Sequence, residues 1–251
     1  MTVAAAQDQA HPVARRPLWW RVLHEVLLLG ALWLVYTLGR ALAGRHVGSA
    51  SVHATDVWDL ERALRLPDEA RLQAWTLEHG WLVQAANTYY KWEHWLALVA
   101  VAGWLLAARP ERYPEFRAVL VTVTALALIG HAAYPLMPPR MRPDFGVVDT
   151  GVRYGQSVYG ADYANTGLVN QYAAMPSMHV GWAALFALTV LVVARSRWRW
   201  AAAAYPLVTL LVVVVTGNHY WLDGVVGVAL LAVAIAAVRR IPDRRPVRRD
   251  A

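Results

Sequence analysis

Residues 200–238 read WAAAAYPLVTLLVVVVTGNHYWLDGVVGVALLAVAIAAV, two long apolar runs at 200–216 and 221–238 joined through Gly217, Asn218, His219 and Tyr220. The hydrocarbon core of a bilayer takes about 20 apolar residues as a helix, with a range of roughly 17 to 25. Both runs match that length. Four other stretches have the same character: 22–42, 95–108, 118–137 and 179–194. The second of these is short by itself and is extended backward through Tyr89 and Tyr90, an aromatic cluster suited to a membrane interface. The expected fold class is all-α, a six-transmembrane-helix bundle with interfacial helices on its outer face.

Composition supports this. With 58% hydrophobic side chains, 16% charged ones and a mean hydropathy of +0.32, the chain is too apolar for a soluble domain of 251 residues. There is no cysteine, which excludes a disulfide framework, a thiolate metal site and a cysteine nucleophile. The net charge of +7 comes from arginines in short runs between apolar stretches, so it points to topology and not to nucleic acid. With the N-terminus in the cytoplasm, that side holds Arg15, Arg16 and Arg21, then Arg109, Arg112 and Arg117, then Arg195, Arg197 and Arg199, and the six arginines from Arg239 onward. Fifteen basic residues then face six acidic ones inside, against nine and eleven outside, which is the positive-inside pattern. The chain divides into a cytoplasmic N-terminal tail (1–21), a membrane domain (22–238) and a basic cytoplasmic tail (239–251). Ala41-Leu42-Ala43 resembles a signal-cleavage site, but the apolar run before it exceeds the usual 7 to 15 residues, which favours a retained anchor.

Two long segments then face outward. In residues 54–81, Asp56 can cap a turn, Val57, Leu60 and Leu64 fall at i, i+3 and i+7, and Pro67-Asp68-Glu69 can open a second helix. Interfacial helices and a packed lid without lipid contact both fit that pattern. Residues 139–178 form a long connection rich in Gly, Pro, Tyr and Asn, of a kind that is usually functional or disordered.

Three clusters fall at the outer ends of helices: Tyr134 to Pro143, Met175 to His179, and Thr216 to Asp223. His219 and Asp223 lie at i and i+4, so the carboxylate can orient the imidazole and leave its other nitrogen basic. A self-satisfied structural pair remains open. Ser177 after Pro176 suits an N-cap, and the free N–H groups of that helix start suit a phosphate, with His179 one turn in. Taken alone, Ser177 fits a plain cap better, and the second histidine at the same depth shifts the balance toward a phosphate site. Arg140 and Arg142 supply guanidinium forks for phosphate oxygens, or for lipid headgroups. His179, His219 and Asp223 could in principle hold zinc, but no His-Glu-x-x-His pattern is present, and serine with arginines suits an anion better. His131 either lines the site or pairs within the bundle, and Glu93 with His94 poses the same question.

Pro-Ser-x-His at 176–179, followed about 40 residues later by His-Tyr-x-x-Asp at 219–223, resembles the type 2 phosphatidic acid phosphatase superfamily. Tyr-Pro-x-x-Pro-Pro-Arg at 134–140, Met-Pro-Ser-Met-His at 175–179 and Gly-Asn-His-Tyr-Trp-x-Asp at 217–223 look like its inositolphosphotransferase branch, which contains inositol phosphorylceramide synthase. The likeness runs from roughly residue 55 to 238 and includes Asn87 to Tyr90. It implies His219 as nucleophile, Asp223 as its orienting group, His179 as the acid and base, Ser177 with Arg140 and Arg142 as phosphate ligands, and no cofactor. A phospholipid or polyprenyl phosphate is the implied substrate, at the extracytoplasmic face of the cell membrane and among membrane lipids. The chain departs from the family pattern at Ala133 and Pro135, where a lysine is expected, and at Val212 and Val213, where Ser-Arg is usual; Arg140 is the best replacement cation. Water and an alcohol remain equal as acceptors. Two rivals stand beside this reading, a non-catalytic lipid-binding or transport protein and a metal-dependent membrane hydrolase.

Overall fold

The computed structural model describes residues 47–157 and 171–240, together with residues 17, 19, 20, 23–27, 30 and 34. The expected first membrane helix and both tails lie largely outside these. The described residues are helical, with no strand among them. In order they form α1 (Val47–Ala63), α2 (Glu69–Leu77), α3 (Gly80–Ala108), α4 (Tyr113–Ala133), the short α5 (Thr150–Arg153), α6 (Met178–Val193), α7 (Ala204–Val215) and α8 (Trp221–Arg240). Single 3₁₀ turns occupy Pro139–Met141 and Pro143–Phe145, and a longer 3₁₀ segment, Arg197–Ala203, leads into α7.

Local chemistry explains most boundaries. Arg109 precedes Pro110, which disfavours helical backbone there, and α3 stops at Ala108. Pro114 then sits in the first turn of α4, where a missing N–H costs nothing. Asp68 caps α2 by accepting from the Arg71 N–H at 3.0 Å. Two expectations need correction. α4 ends at Ala133 and not at 137, because Leu136 leaves the helix to pair with the strand-like segment at Ala173: its N–H donates to Tyr172 O (2.7 Å), and its carbonyl accepts from Ala174 N (3.3 Å). α1 begins at Val47, so Asp56 lies inside the helix and does not cap it. Its buried face is Ala50, Ala54, Val57 and Glu61, while Leu60 and Leu64 point outward.

Among the described residues, three segments are long and apolar enough to cross a membrane: Tyr113–Ala133, Arg197–Val215 and Trp221–Arg240; the apolar Met178–Val193 is shorter. Their outward faces carry Ile129, Val192, Leu207, Leu211, Val225 and Val233, all exposed. Apolar surface on this scale suits lipid, where each helix satisfies its own backbone polar groups. The protein is a membrane protein.

α6 is the central element, touching α3, α4, α7 and α8. Its core contacts include Leu105 of α3, Phe116 and Val123 of α4, its own Phe186, and Leu231 of α8. Near its start α6 meets α8 backbone to backbone. A Cβ on Gly227 would stand 2.5 Å from Ser177 O, and one on Gly181 would stand 3.3 Å from Gly227 O. Close approach of this kind needs small residues. Gly227→Ala is therefore expected to lower stability by about 1–3 kcal/mol, read as a reduced Tm in detergent; an unchanged Tm would show that the two helices can part without cost.

α1 and α2 cover the turn that joins α7 to α8. Glu61, fully buried, accepts from the Leu222 N–H at 2.8 Å, and Trp221 Nε1 donates to Pro67 O at 2.8 Å. Glu69 pairs with Arg62 at 2.6 Å. Burial first, and then the neighbouring Glu69, push Glu61 up to about 9. Because its folded value lies above the ordinary carboxylate range, its contribution to stability is complete at acid pH. That contribution is lost as pH rises from the unfolded value of about 4.3 through about 9. Glu61→Gln keeps an acceptor for Leu222 and removes the titration, so its Tm should change less across that window than the wild type's. Parallel profiles would assign the pH dependence to other groups.

Candidate active site

Gly217 makes the turn after α7 possible. Its φ of +71° lies in the left-handed region, and a Cβ there would stand 2.9 Å from Val147 Cγ1 and 3.2 Å from Arg140 Cβ. The turn folds back so that both Asn218 N and His219 N donate to Val213 O. This presents His219 just before α8, buried to 5% exposure. Its Nδ1 faces two acceptors, Ala174 O at 2.8 Å and Asp223 Oδ2 at 3.1 Å. Two oxygens around one ring nitrogen call for the proton on Nδ1, so in the neutral tautomer the lone pair lies on Nε2. Asp223 is fully buried and also accepts from Tyr220 N at 2.9 Å.

The second histidine comes from α6. Ser177 caps that helix, its Oγ accepting from Val180 N at 3.4 Å, and its own N–H donates to Asp223 O at 2.9 Å. One backbone hydrogen bond thus ties the start of α6 to the first turn of α8, and it brings His179 and His219 to a ring-centroid separation of 5.8 Å. Tyr90 stacks on His179 at 4.3 Å, and His94 meets it edge-on at 4.7 Å. His131 accepts a bundle role: its Nε2 lies 3.0 Å from Pro176 O, beneath the turn that enters α6.

The two arginines part company. Arg140 is buried beside the His219 turn, donating from its backbone N to Gly217 O (2.8 Å) and from Nε to Asn218 Oδ1 (3.0 Å), and pairing with Asp149 Oδ2 at 3.1 Å. Asn218 is itself held by Thr216 Oγ1 at 2.9 Å. Arg142 instead forks onto Asp144, at 2.9 and 2.6 Å, and reaches α1 through Ser51 O (2.8 Å) and Thr55 Oγ1 (3.1 Å). The exchange of hydrogen bonds raises the Arg142 pKa and lowers that of Asp144. Phe145 lies under the same guanidinium at 4.1 Å and stacks on Trp58 of α1 at 4.3 Å. Arg142 thereby fastens the 134–145 segment to α1. Val213, at a usual arginine position of the resemblance, is buried.

Several contributors escaped the sequence reading. Ala174 acts through its carbonyl, which no side-chain pattern reveals. Glu61 acts from 161 residues away. Tyr90 and His94 are named from the sequence, Tyr90 in the interfacial cluster and His94 with Glu93 as an open question, and Asn87, Tyr90 and His94 fall at i, i+3 and i+7 on one face of α3. Glu93, His94 and His179 bring one candidate ligand atom each to within 4.8 Å of one another, so they could hold a metal ion.

The family model described as the PAP2 superfamily matches residues 55–237. The chain belongs to the PAP2 superfamily. No curated protein and no solved structure matches it. The matched span contains every residue of the histidine pair and its surroundings, from Glu61 and Tyr90 to Asp223. PAP2 membership together with the membrane-length helices makes this a membrane protein of phosphatase type, and a lipid phosphate is the class of substrate that a PAP2 protein meets there.

Proposed function

We propose that the protein cleaves or transfers a lipid phosphoester through a phosphohistidine at the extracytoplasmic face of the membrane, without a metal. The observation that carries this reading is the 5.8 Å separation of the two imidazoles, with the Nδ1 of His219 committed to Ala174 O and Asp223 so that Nε2 is the basic nitrogen.

His219 Nε2 attacks phosphorus, the phosphorus–oxygen bond to the lipid breaks, and His179, protonated, gives its proton to the leaving oxygen. His179, now neutral, then takes a proton from water or an alcohol whose oxygen attacks phosphorus, and the phosphorus–nitrogen bond breaks. Arg140, with Ser177 and the N–H groups opening α6, holds the phosphoryl oxygens. Arg142 supports this pocket by fixing its wall to α1, and its place as a phosphate ligand is secondary to that of Arg140. Asp223 balances the positive charge that His219 carries while phosphorylated.

The remaining organisation follows the charge pattern: six spans, with α3 and α6 among them, a cytoplasmic tail over 1–21, a membrane domain over 22–238 and a basic cytoplasmic tail over 239–251. α1 and α2 lie at the outer interface, above the turn that bears His219. The three quoted motifs favour the inositolphosphotransferase branch. The test is to incubate purified protein with phospholipids and polyprenyl phosphates, with and without inositol. Free phosphate is expected if water is the acceptor, and a new phosphoester if inositol is. No turnover of any lipid phosphate would overturn the reading.

A further inference from the structure

Beside the proposed acid lies a set of polar groups that the phosphoryl chemistry does not use. Glu93 and His94 are neighbours on α3, and His179 approaches them from α6, with one ligand-capable atom from each inside a 4.8 Å cluster. Glu93 is only 7% exposed. One of its oxygens accepts from the Tyr205 hydroxyl, while Oε1 is buried with no hydrogen-bond partner among the described residues. His94 Nδ1 is buried in the same condition. Buried polar atoms without partners are costly, and a cation bound through Glu93 Oε1 and His94 Nδ1 would relieve that cost.

The donor set identifies the cation. Two imidazoles and one carboxylate suit zinc or a neighbouring transition metal far better than magnesium or calcium, and three protein ligands leave a fourth position open. Tetrahedral zinc with bonds of about 2.0–2.1 Å sets its ligands roughly 3.4 Å apart, so the cluster needs only a small closure of side chains. Aromatic neighbours already confine two of the rings: Tyr90 stacks on His179 at 4.3 Å, and Trp95 lies 4.8 Å from His94.

We propose that Glu93, His94 and His179 form a zinc-binding site whose occupancy removes His179 from acid–base chemistry and so inhibits the protein. The inhibitory half rests on the role given to His179 above, and the binding half does not. Zinc binding to purified protein in detergent is measured by calorimetry after chelator treatment, alongside phosphate release from the best lipid substrate. Wild type is expected to bind one zinc ion and lose turnover as the site fills. His94→Phe keeps a ring against His179 and Trp95 but offers no ligand. It should bind zinc more weakly by more than the roughly 10- to 100-fold typical of losing an outer-shell partner, and its turnover, compared with its own zinc-free rate, should resist zinc. Glu93→Gln should weaken binding in the same direction.

Equal zinc affinity in wild type and both variants would overturn the site. Binding that depends on His94 but leaves turnover untouched would overturn the inhibition. A protein with no turnover at all, whose zinc binding is still abolished by His94→Phe, would sustain the site and sink the catalytic reading instead.

Discussion

Replacing His219 by asparagine is expected to reduce lipid-phosphate turnover by about 10⁴-fold or more, the scale seen when a nucleophile acting within a catalytic unit is removed. Asparagine is the informative choice. Its amide nitrogen can occupy the place of Nδ1 and still donate to Ala174 O and Asp223, which stand 2.8 and 3.1 Å from that atom. Only Nε2 and the ring are lost, so Asp223 keeps a partner in its fully buried position. The thermal midpoint should therefore stay near that of wild type, whereas His219→Ala would leave the Asp223 carboxylate short of a hydrogen bond and lower it. Phosphate release by the asparagine variant within tenfold of wild type would remove His219 from the chemistry. It would then leave the histidine pair a structural feature of the bundle.

Asp223→Asn tests charge separately from orientation. The Nδ1 of His219 has a second acceptor in Ala174 O, so its tautomer should survive the change. An asparagine carbonyl can also still accept from Tyr220 N, as Asp223 does at 2.9 Å. What disappears is the negative charge beside an imidazole that becomes cationic when phosphorylated. A loss of about 10²- to 10³-fold is expected, short of the roughly 10⁴-fold seen where the aspartate also sets the tautomer. The deficit should appear in kcat more than in KM, because the charge matters most once the ring carries phosphorus. Unaltered kcat would mean that the carboxylate serves only to cap α8.

Both experiments turn on features that differ in how far they could be read from the chain. The apolar runs, the helix opening at Pro67-Asp68-Glu69, Ser177 as a cap, and the i, i+4 relation of His219 to Asp223 were legible because each depends on a few adjacent residues. Helix length, capping and face-sharing are local properties of the backbone, and the membrane-length stretches 200–216 and 221–238 reappear as Arg197–Val215 and Trp221–Arg240. The spacing of the Pro-Ser-x-His and His-Tyr-x-x-Asp motifs likewise sufficed to mark the superfamily.

What surrounds the histidine pair came from elsewhere. The orienting carbonyl of Ala174, the stacking of Tyr90 and His94 around His179, and the division of labour between Arg140 and Arg142 all join residues separated by dozens of positions. The same holds for α1, where the shared face of Val57, Leu60 and Leu64 left an interfacial helix and a packed lid both open, and whose buried face carries Glu61, drawn inward by the N–H of Leu222 at the start of α8. A polar group is buried wherever a complementary donor is waiting. The identity of that donor is set by helix packing, so local patterning marked the apolar helices and the Ser177 cap, and only the tertiary structure decided where α4 ends, that Asp56 lies inside α1, and which polar groups meet.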